Sequence, residues 1–108
     1  MGIKAINTVE EFNSQVLGNE GIAIVDFSAE WCKPCQVMRP EMDAVADKMG
    51  NQVQFFSVDA DTLKEVFLTQ EVEGVPSLVA YKNGKELDRI AGYKKAAVLE
   101  ELLTSIIK

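Results

Sequence analysis

The stretch VDFSAEWCKPCQVMRP, from Val25 to Pro40, decides the fold. It begins inside a nearly continuous apolar run, Ile22–Ala29, whose β-branched residues predict a buried central strand. From Lys33 to Met49 apolar residues recur at helical spacing, which predicts a helix that Pro40 kinks but does not end. A buried strand that leads directly into a helix is typical of the α/β class.

Strands and helices alternate along the rest of the chain. Before the central strand we predict a weak strand at Lys4–Ile6 and a helix that runs from the capping box of Thr8 and Glu11 to Gly18. After the long helix we predict a strand at Val53–Asp59, a short helix capped by Asp61, and two strands, Ser77–Lys82 and Lys85–Ala91, joined by a turn at Asn83-Gly84. The last predicted helix carries its apolar residues on one face: Val98, Leu99, Leu102, Leu103 and Ile106. The order β-α-β-α-β-α-β-β-α predicts a central mixed β-sheet, with a parallel core, an antiparallel hairpin and helices on both faces.

The composition restricts the class of protein. The chain has 108 residues, 47% of them hydrophobic, which suits a single domain spanning residues 1–108. The net charge is −6, so the composition does not favour binding to nucleic acid or to an anionic membrane. No apolar run is long enough to span a bilayer, and no signal-peptide pattern opens the sequence. We therefore expect a monomer located in the cytoplasm.

Histidine is absent from the sequence. This absence excludes nucleophilic catalysis by a Ser/His/Asp or Cys/His arrangement, and it excludes a histidine-ligated metal. The two cysteines, Cys32 and Cys35, could be half of a zinc site or an inert pair. A zinc site needs four ligands, however, and the chain has no further cysteine, so we favour redox chemistry without a bound metal.

The spacing of Cys32 and Cys35 suits a reversible disulfide. Side chains three residues apart on the first turn of a helix are neighbours, roughly 5–6 Å apart. A disulfide requires Cα atoms within about 4.4–6.8 Å of each other. The bond can therefore form and break with little movement of the backbone.

The predicted helix start also favours a thiolate at Cys32. Unpaired N–H groups and the helix dipole stabilise negative charge there, and the thiolate is the nucleophilic form. Lys33 adds a positive charge, and Pro34 fits a first helical turn, where its missing N–H costs nothing. Cys35 lies one turn further in, so we expect it to be more shielded, with a higher pKa and a resolving role.

Asp26 interrupts the apolar central strand on the same face as Ile22 and Ile24. A buried carboxylate without a partner is costly, so we expect burial to raise the pKa of Asp26. Strongly perturbed acids cluster at functional sites, which favours a role in the chemistry. The alternative is a structural ion pair with a neighbouring lysine.

These features occur together in the thioredoxin family, which the chain resembles essentially from end to end. The residues that carry the resemblance are VDFSAEWCKPC, Pro40, the VDAD stretch ending at Asp61, Gly74-Val75-Pro76, Asn83-Gly84 and Gly92. The resemblance implies a thioredoxin fold and reduction of disulfides in target proteins. Cys32 would attack the target disulfide, Cys35 would release the reduced target, and Asp26 would help to move the proton of Cys35.

The resemblance also implies how the pair is recharged. Family members usually receive electrons from a thioredoxin reductase, a flavoprotein that uses NADPH. This chain has no phosphate-binding glycine motif, so we expect it to bind no cofactor itself.

Target binding is implied for a second group of residues. The Gly74-Val75-Pro76 loop would hold a cis proline beside the cysteines, and Val75 would offer backbone hydrogen bonds to an extended target segment. An ordinary trans proline at a strand start is the alternative for Pro76. Trp31 would form a partly exposed rim, unless it simply fills the core. Gly92 would allow close backbone approach at this surface, with a strand-end turn as the alternative.

Three residues depart from the common family pattern. Lys33 replaces a glycine, Ser57 replaces a lysine that many bacterial members place near the buried acid, and Ser28 replaces a second tryptophan. Two rival functions also remain open. One is an oxidant or disulfide isomerase, which needs an oxidising compartment. The other is a binding module that uses the Trp31, Val75 and Gly92 surface without electron transfer.

Overall fold

The computed structural model describes residues 2–108 and contains five strands and four helices in this part of the chain. Their bounds, in chain order, are β1 Ile3–Ala5, α1 Val9–Phe12 with a π-helical extension over Asn13–Leu17, β2 Ile22–Ser28, α2 Lys33–Met49, β3 Gln54–Asp59, α3 Lys64–Thr69, β4 Ser77–Lys82, β5 Lys85–Ala91 and α4 Ala96–Ile107. The predicted order of elements is confirmed. The first strand begins and ends one residue earlier than the apolar pattern suggested.

One five-stranded sheet forms the centre of the structure, in the order β1-β3-β2-β4-β5. Strands β1, β3 and β2 run parallel, whereas β4 is antiparallel to β2 and β5 is antiparallel to β4. This arrangement confirms the predicted mixed sheet. The central position of β2 brings its carboxyl end, and therefore the start of α2, to the middle of one sheet edge.

Helices cover both faces of the sheet, as predicted. One face packs with α1 and α3, and its buried side chains include Phe12, Phe27, Phe56, Val79 and Tyr81. The opposite face packs with α2 and α4, and its buried side chains include Ile24, Met38, Met42, Leu78, Leu99 and Leu103. Because successive strand residues point to opposite faces, Asp26 lies on the face of Ile24, beneath α2.

Local contacts explain where α1 and α3 begin. The N–H of Glu11 donates to the Thr8 hydroxyl at 3.0 Å, which confirms the predicted cap. The predicted cap at Asp61 is wrong: α3 has Leu63 at its N-cap position, without a side-chain hydrogen bond. The carboxylate of Asp59 instead accepts the N–H groups of Asp61 and Thr62, so it closes a turn that delays the helix start.

The predicted turn between β4 and β5 is confirmed at Asn83 and Gly84. Both residues have left-handed backbone conformations, with φ of 53° and 80°, as a two-residue hairpin turn requires. The N–H of Asn83 also donates to the carbonyl of Gly21 at 3.2 Å. A Cβ at Gly84 would collide with the backbone carbonyl oxygen of Leu17, so the turn is packed tightly against the end of α1.

None of the helices in residues 2–108 combines the length and apolar character needed to cross a membrane. Helix α2 runs without interruption through Pro40. Its inner face nevertheless packs against α4, with Met42 and Leu99 both buried in the same cluster. The side of the sheet that carries Asp26 is therefore closed by two helices.

Truncating Leu99 tests the contribution of α4 to this layer. We expect Leu99→Ala to lower the free energy of unfolding by about 2–5 kcal/mol, because it leaves a cavity in a closely packed cluster. Val98→Ala is the matched control, since Val98 is exposed on the same helix, and its effect should stay below about 0.5 kcal/mol. Urea denaturation measures both changes, and equal losses in the two variants would contradict the packing described here.

Candidate active site

The two cysteines lie at the junction of β2 and α2. Cys32 is the N-cap of α2, with an extended backbone, and Pro34 lies in the first turn, where the missing N–H has no intrahelical partner to lose. The sulfurs of Cys32 and Cys35 are joined as a disulfide, and their Cα atoms are 5.2 Å apart. The N–H of Cys35 also donates to the sulfur of Cys32 at 3.2 Å. The helix start therefore directs a backbone donor at the leading sulfur.

Exposure does not distinguish the two cysteines. Cys32 is 5% exposed and Cys35 is 7% exposed, so the prediction that Cys35 is the more shielded residue is wrong. Both pack in one small cluster with Ala29, and Val75 and Ala60 cover this cluster from outside. Cys32 is therefore covered as well as Cys35, and the difference between them lies in their neighbours.

Asp26 is the buried acid of this region. Its side chain is 3% exposed, and its Oδ1 accepts no hydrogen bond from any group in residues 2–108. Burial raises the pKa of Asp26 to about 6, while the positive charge of Arg39 lowers it and the negative charge of Asp43 raises it. No lysine pairs with Asp26 in the described part of the chain, so the structural ion pair considered above is absent there.

A cavity of about 460 Å³ connects Asp26 to Cys35. Its wall is formed by residues of β2 and the loop after it, of α2 and of β3: Asp26, Ser28, Ala29, Glu30, Cys35, Gln36, Arg39, Ser57 and Asp59. Cys32 is not among these residues. The structure therefore brings Cys35, and not Cys32, to the same cavity as the buried acid.

The Gly74-Val75-Pro76 loop lies against the cysteine cluster. The Val75-Pro76 peptide bond is cis, which confirms the prediction. Val75 packs on the cluster that contains both cysteines. Gly74 is exposed, and a Cβ there would meet no atom within 4 Å. The predicted loop is therefore brought to the site, with its glycine open to the outside.

Gly92 joins the same surface through a backbone contact. Its N–H donates to the carbonyl of Pro76 at 2.9 Å. Its φ of 85° is left-handed, a conformation that favours glycine. Gly92 therefore follows the end of β5 and is hydrogen-bonded to the proline loop, and a Cβ there would meet only the Lys94 ammonium group, at 3.9 Å.

Trp31 is an exposed residue with a specific partner. Trp31 is 67% exposed, so the alternative that it fills the core is wrong. The indole N–H donates to the carboxylate of Asp61 at 3.0 Å. Sequence reasoning missed this role of Asp61 and assigned it to a helix cap. The presence of a second acid, Asp59, was the signal in the sequence: Asp59 accepts the N–H groups of this turn, and the Asp61 carboxylate bonds to Trp31.

Metal binding receives no support from the geometry. No group of three or more Cys, Asp or Glu side chains within residues 2–108 is placed to hold a metal ion. Lys33 lies at the first position of α2, between the cysteines, and its side chain is exposed. The site is thus made of a sulfur pair, a buried acid and an adjoining open surface.

The sequence of this chain is similar to that of known proteins of one family. The Thioredoxin family model matches residues 4–105. The H-type thioredoxin of Fagopyrum esculentum is 40% identical over 101 residues, which cover 91% of this chain and 86% of that protein. The mitochondrial thioredoxin of Bos taurus is 35% identical over 97 residues, which cover 90% of this chain and 58% of that protein.

A solved structure gives the same result for the fold. The crystal structure of thioredoxin from Malassezia sympodialis is 27% identical, has a TM-score of 0.89, and is matched over 100% of this chain and 94% of that chain. This chain therefore belongs to the thioredoxin family, and the Cys32–Cys35 pair makes it a dithiol–disulfide oxidoreductase.

Proposed function

We propose that this protein reduces disulfides in target proteins, with Cys32 as the attacking residue and Cys35 as the resolving residue. One observation carries the assignment: the sulfur of Cys32 caps α2 and accepts the N–H of Cys35 at 3.2 Å. Such a donor, together with the positive end of the helix dipole, stabilises a thiolate at this position. No comparable donor is directed at the sulfur of Cys35 in the described residues.

The reaction proceeds in two thiol–disulfide exchanges. The Cys32 thiolate attacks one sulfur of the target disulfide, and the other target sulfur leaves as a thiolate that takes a proton from water. Cys35 then loses its proton, and its sulfur attacks Cys32. The Cys32–Cys35 bond forms, the bond from Cys32 to the target breaks, and the second target sulfur leaves. Two electrons thus pass from the cysteine pair to the target disulfide.

Asp26 is the base that we assign to the second exchange. Its carboxyl group and Cys35 line one cavity, so a water molecule in this space would relay the proton between them. With its pKa raised to about 6, Asp26 is mainly a carboxylate at neutral pH and is still basic enough to accept a proton. Cys32 is outside this cavity, which supports a role for Asp26 toward Cys35 alone.

The surface beside the cysteines is proposed to bind an extended segment of the target. The backbone N–H and carbonyl of Val75 bond to no other backbone group in residues 2–108, so they are available to pair with a strand-like partner. Gly74 leaves this backbone open, while the hydrogen bond from the Gly92 N–H to the Pro76 carbonyl fixes the loop. Trp31 supplies the exposed aromatic contact at the edge.

The cycle requires a reductant that restores the dithiol. We assign this role to a flavoprotein thioredoxin reductase that uses NADPH, since the chain bears no second redox group of its own. Consumption of NADPH by purified reductase in the presence of this protein and insulin tests that pairing. A cytoplasmic location and a monomeric state stay predictions, and one of the relatives described above is mitochondrial.

Removing the resolving thiol tests the assignment of the two cysteines. We expect Cys35→Ser to accumulate a mixed disulfide between Cys32 and oxidised insulin, because the second exchange cannot occur. Mass spectrometry of the non-reduced digest identifies the adduct. Cys32→Ser is the matched control and should form far less adduct in the same time. A stable adduct in Cys32→Ser and none in Cys35→Ser would reverse the two roles.

Burial of Asp26 predicts a pH-dependent stability. The folded protein keeps the Asp26 proton up to about pH 6, whereas the unfolded chain releases it near the ordinary aspartate pKa of 3.8. The free energy of unfolding should therefore fall as pH rises from about 4 to 6, by up to about 3 kcal/mol. Asp26→Asn removes this loss, so it should stabilise the protein at pH 7.5 and change little at pH 4.

Urea denaturation of the oxidised protein at pH 4 and pH 7.5 measures this difference. Asp47→Asn, an exposed substitution on α2, is the matched control and should change stability by less than about 0.5 kcal/mol at both pH values. A gain for Asp26→Asn that is the same at both pH values would show that ionisation of Asp26 is not the cause.

Truncating Trp31 tests the proposed target surface. We expect Trp31→Ala to raise KM for insulin roughly fivefold to thirtyfold, since loss of a contact aromatic costs about 1–2 kcal/mol. The rate with a small disulfide, which cannot reach Trp31 and the cysteines together, should stay within about twofold. Leu68→Ala, on the exposed side of α3, is the control. Equal losses with insulin and with the small disulfide would place Trp31 outside target recognition.

A further inference from the structure

We propose that Arg39 is a positioning residue for the reaction, supplying from α2 the positive charge that stabilises the ionised buried acid beside Cys35. This inference rests on the proposed function, in which Asp26 accepts the Cys35 proton. The strand beside Asp26 offers no cation, because the register partner of Asp26 on β3 is the uncharged Ser57. In this chain the charge comes from the helix that covers the cavity and not from the strand beside Asp26.

The periodicity of α2 brings Arg39 to the cavity. Cys35, Arg39 and Asp43 follow one another at intervals of four residues, so they lie on one face of the helix, one turn apart. Cys35 and Arg39 both line the cavity that contains Asp26. A charge at Arg39 is therefore held one turn beyond the resolving sulfur, above the buried acid.

The other walls of the cavity offer no positive charge. On β3, Ser57 is the direct register partner of Asp26 and is uncharged. On the antiparallel side, the register partner is the apolar Leu78 of β4. The remaining ionisable residues of the wall, Glu30 and Asp59, are acids. Within the described residues that line the cavity, Arg39 is thus the sole cation, facing three carboxyl groups.

Asp43 competes for the same guanidinium group. Arg39 Nε lies 3.5 Å from the Asp43 carboxylate, and both side chains are exposed in part. The charge of Arg39 is therefore shared between solvent, Asp43 and the cavity. In keeping with this arrangement, Arg39 lowers the pKa of Asp26, and Asp43 raises it. The two residues act on the buried acid with opposite signs.

The consequence for the reaction concerns the resolving step. When Asp26 takes the proton of Cys35, it must first be a carboxylate, and a nearby cation favours that form. Arg39 thus raises the fraction of molecules that are ready for resolution near neutral pH. In residues 2–108 its guanidinium group pairs with Asp43 and makes no hydrogen bond to either cysteine, so we assign its effect to Asp26.

Two variants with opposite expected signs test this inference. We expect Arg39→Gln to move the pH at which resolution reaches half its maximal rate upward by about 0.5 unit, and Asp43→Asn to move it downward by about 0.2 to 0.5 unit. Arg39→Lys keeps the charge and should restore most of the wild-type midpoint. Lys64→Gln, which removes a cation from α3, is the matched control for net charge and should leave the midpoint unchanged.

The rate is measured as release of reduced target from the preformed Cys32 mixed disulfide in a single turnover. Titration of the Asp26 carboxyl carbon by nuclear magnetic resonance follows the same groups without any target. Thermal unfolding of each variant at a fixed pH separates a loss of fold from a shift of the midpoint. If Arg39 had only a structural role, its substitution would lower stability without moving the midpoint of the rate profile or of the Asp26 titration.

The failures of the two proposals can be told apart. Midpoints that agree within about 0.1 unit for wild type, Arg39→Gln and Asp43→Asn would overturn the role of Arg39. If Asp26→Asn nevertheless removes the pH dependence of resolution, the assignment of Asp26 as the base stands. If Asp26→Asn leaves the profile unaltered, the proposed proton transfer itself is wrong.

Discussion

The chemistry of this protein depends on one hydrogen bond, from the backbone N–H of Cys35 to the sulfur of Cys32. It exists because β2 ends in the middle of the sheet edge and α2 begins immediately afterwards, so that Cys32 takes the N-cap position. A helix N-cap ordinarily uses an oxygen from Ser, Thr, Asp or Asn. Here a sulfur occupies that position, and the requirement of the helix for an acceptor coincides with the requirement of the reaction for a thiolate.

The second constraint is the solvation of Asp26. A carboxyl group on the inner face of a central strand gives up the stability that an apolar residue would contribute there. The sheet can hold it because α2 leaves a cavity above it, lined by polar side chains. Charges at Arg39 and Asp43 then adjust the ionisation that burial alone would set. In the proposed reaction, proton transfer is thus controlled by two residues of α2, the helix that Cys32 caps.

Much of the fold could be predicted from the sequence because its signals are local. The apolar run at Ile22–Ala29, the capping box at Thr8 and the turn at Asn83-Gly84 each determine their own structure. The exceptions have physical causes. Asp59 closes the turn before α3, so the helix begins beyond Asp61, and the Asp61 carboxylate bonds to Trp31 instead of capping α3. Val75 packs on the cysteine cluster, so Cys32 is as well covered as Cys35. Both exceptions depend on contacts in the folded structure, which the pattern of residues along the sequence does not specify.

The candidate site divides in a similar way. The cysteine motif, Asp26 and the Gly74-Val75-Pro76 loop carry recognisable residue types, and the structure brings them together. Two partnerships could not be found from the pattern, namely Trp31 with Asp61 and Gly92 with Pro76, since the residues of each pair are far apart in the chain. The position of Arg39 over Asp26 could not be found from the sequence either, because it follows from the packing of α2 on the sheet.

The turn at Asn83 and Gly84 has a consequence for inserting peptides or tags into this scaffold. Tips of β-hairpins are usually permissive sites, because few contacts reach them. Here the N–H of Asn83 bonds to the Gly21 carbonyl, and Gly84 lies directly against the backbone of Leu17. Lengthening this tip would break the contacts between the hairpin and the segment that leads into β2. An inserted peptide would therefore disturb the central strand as well as the turn itself.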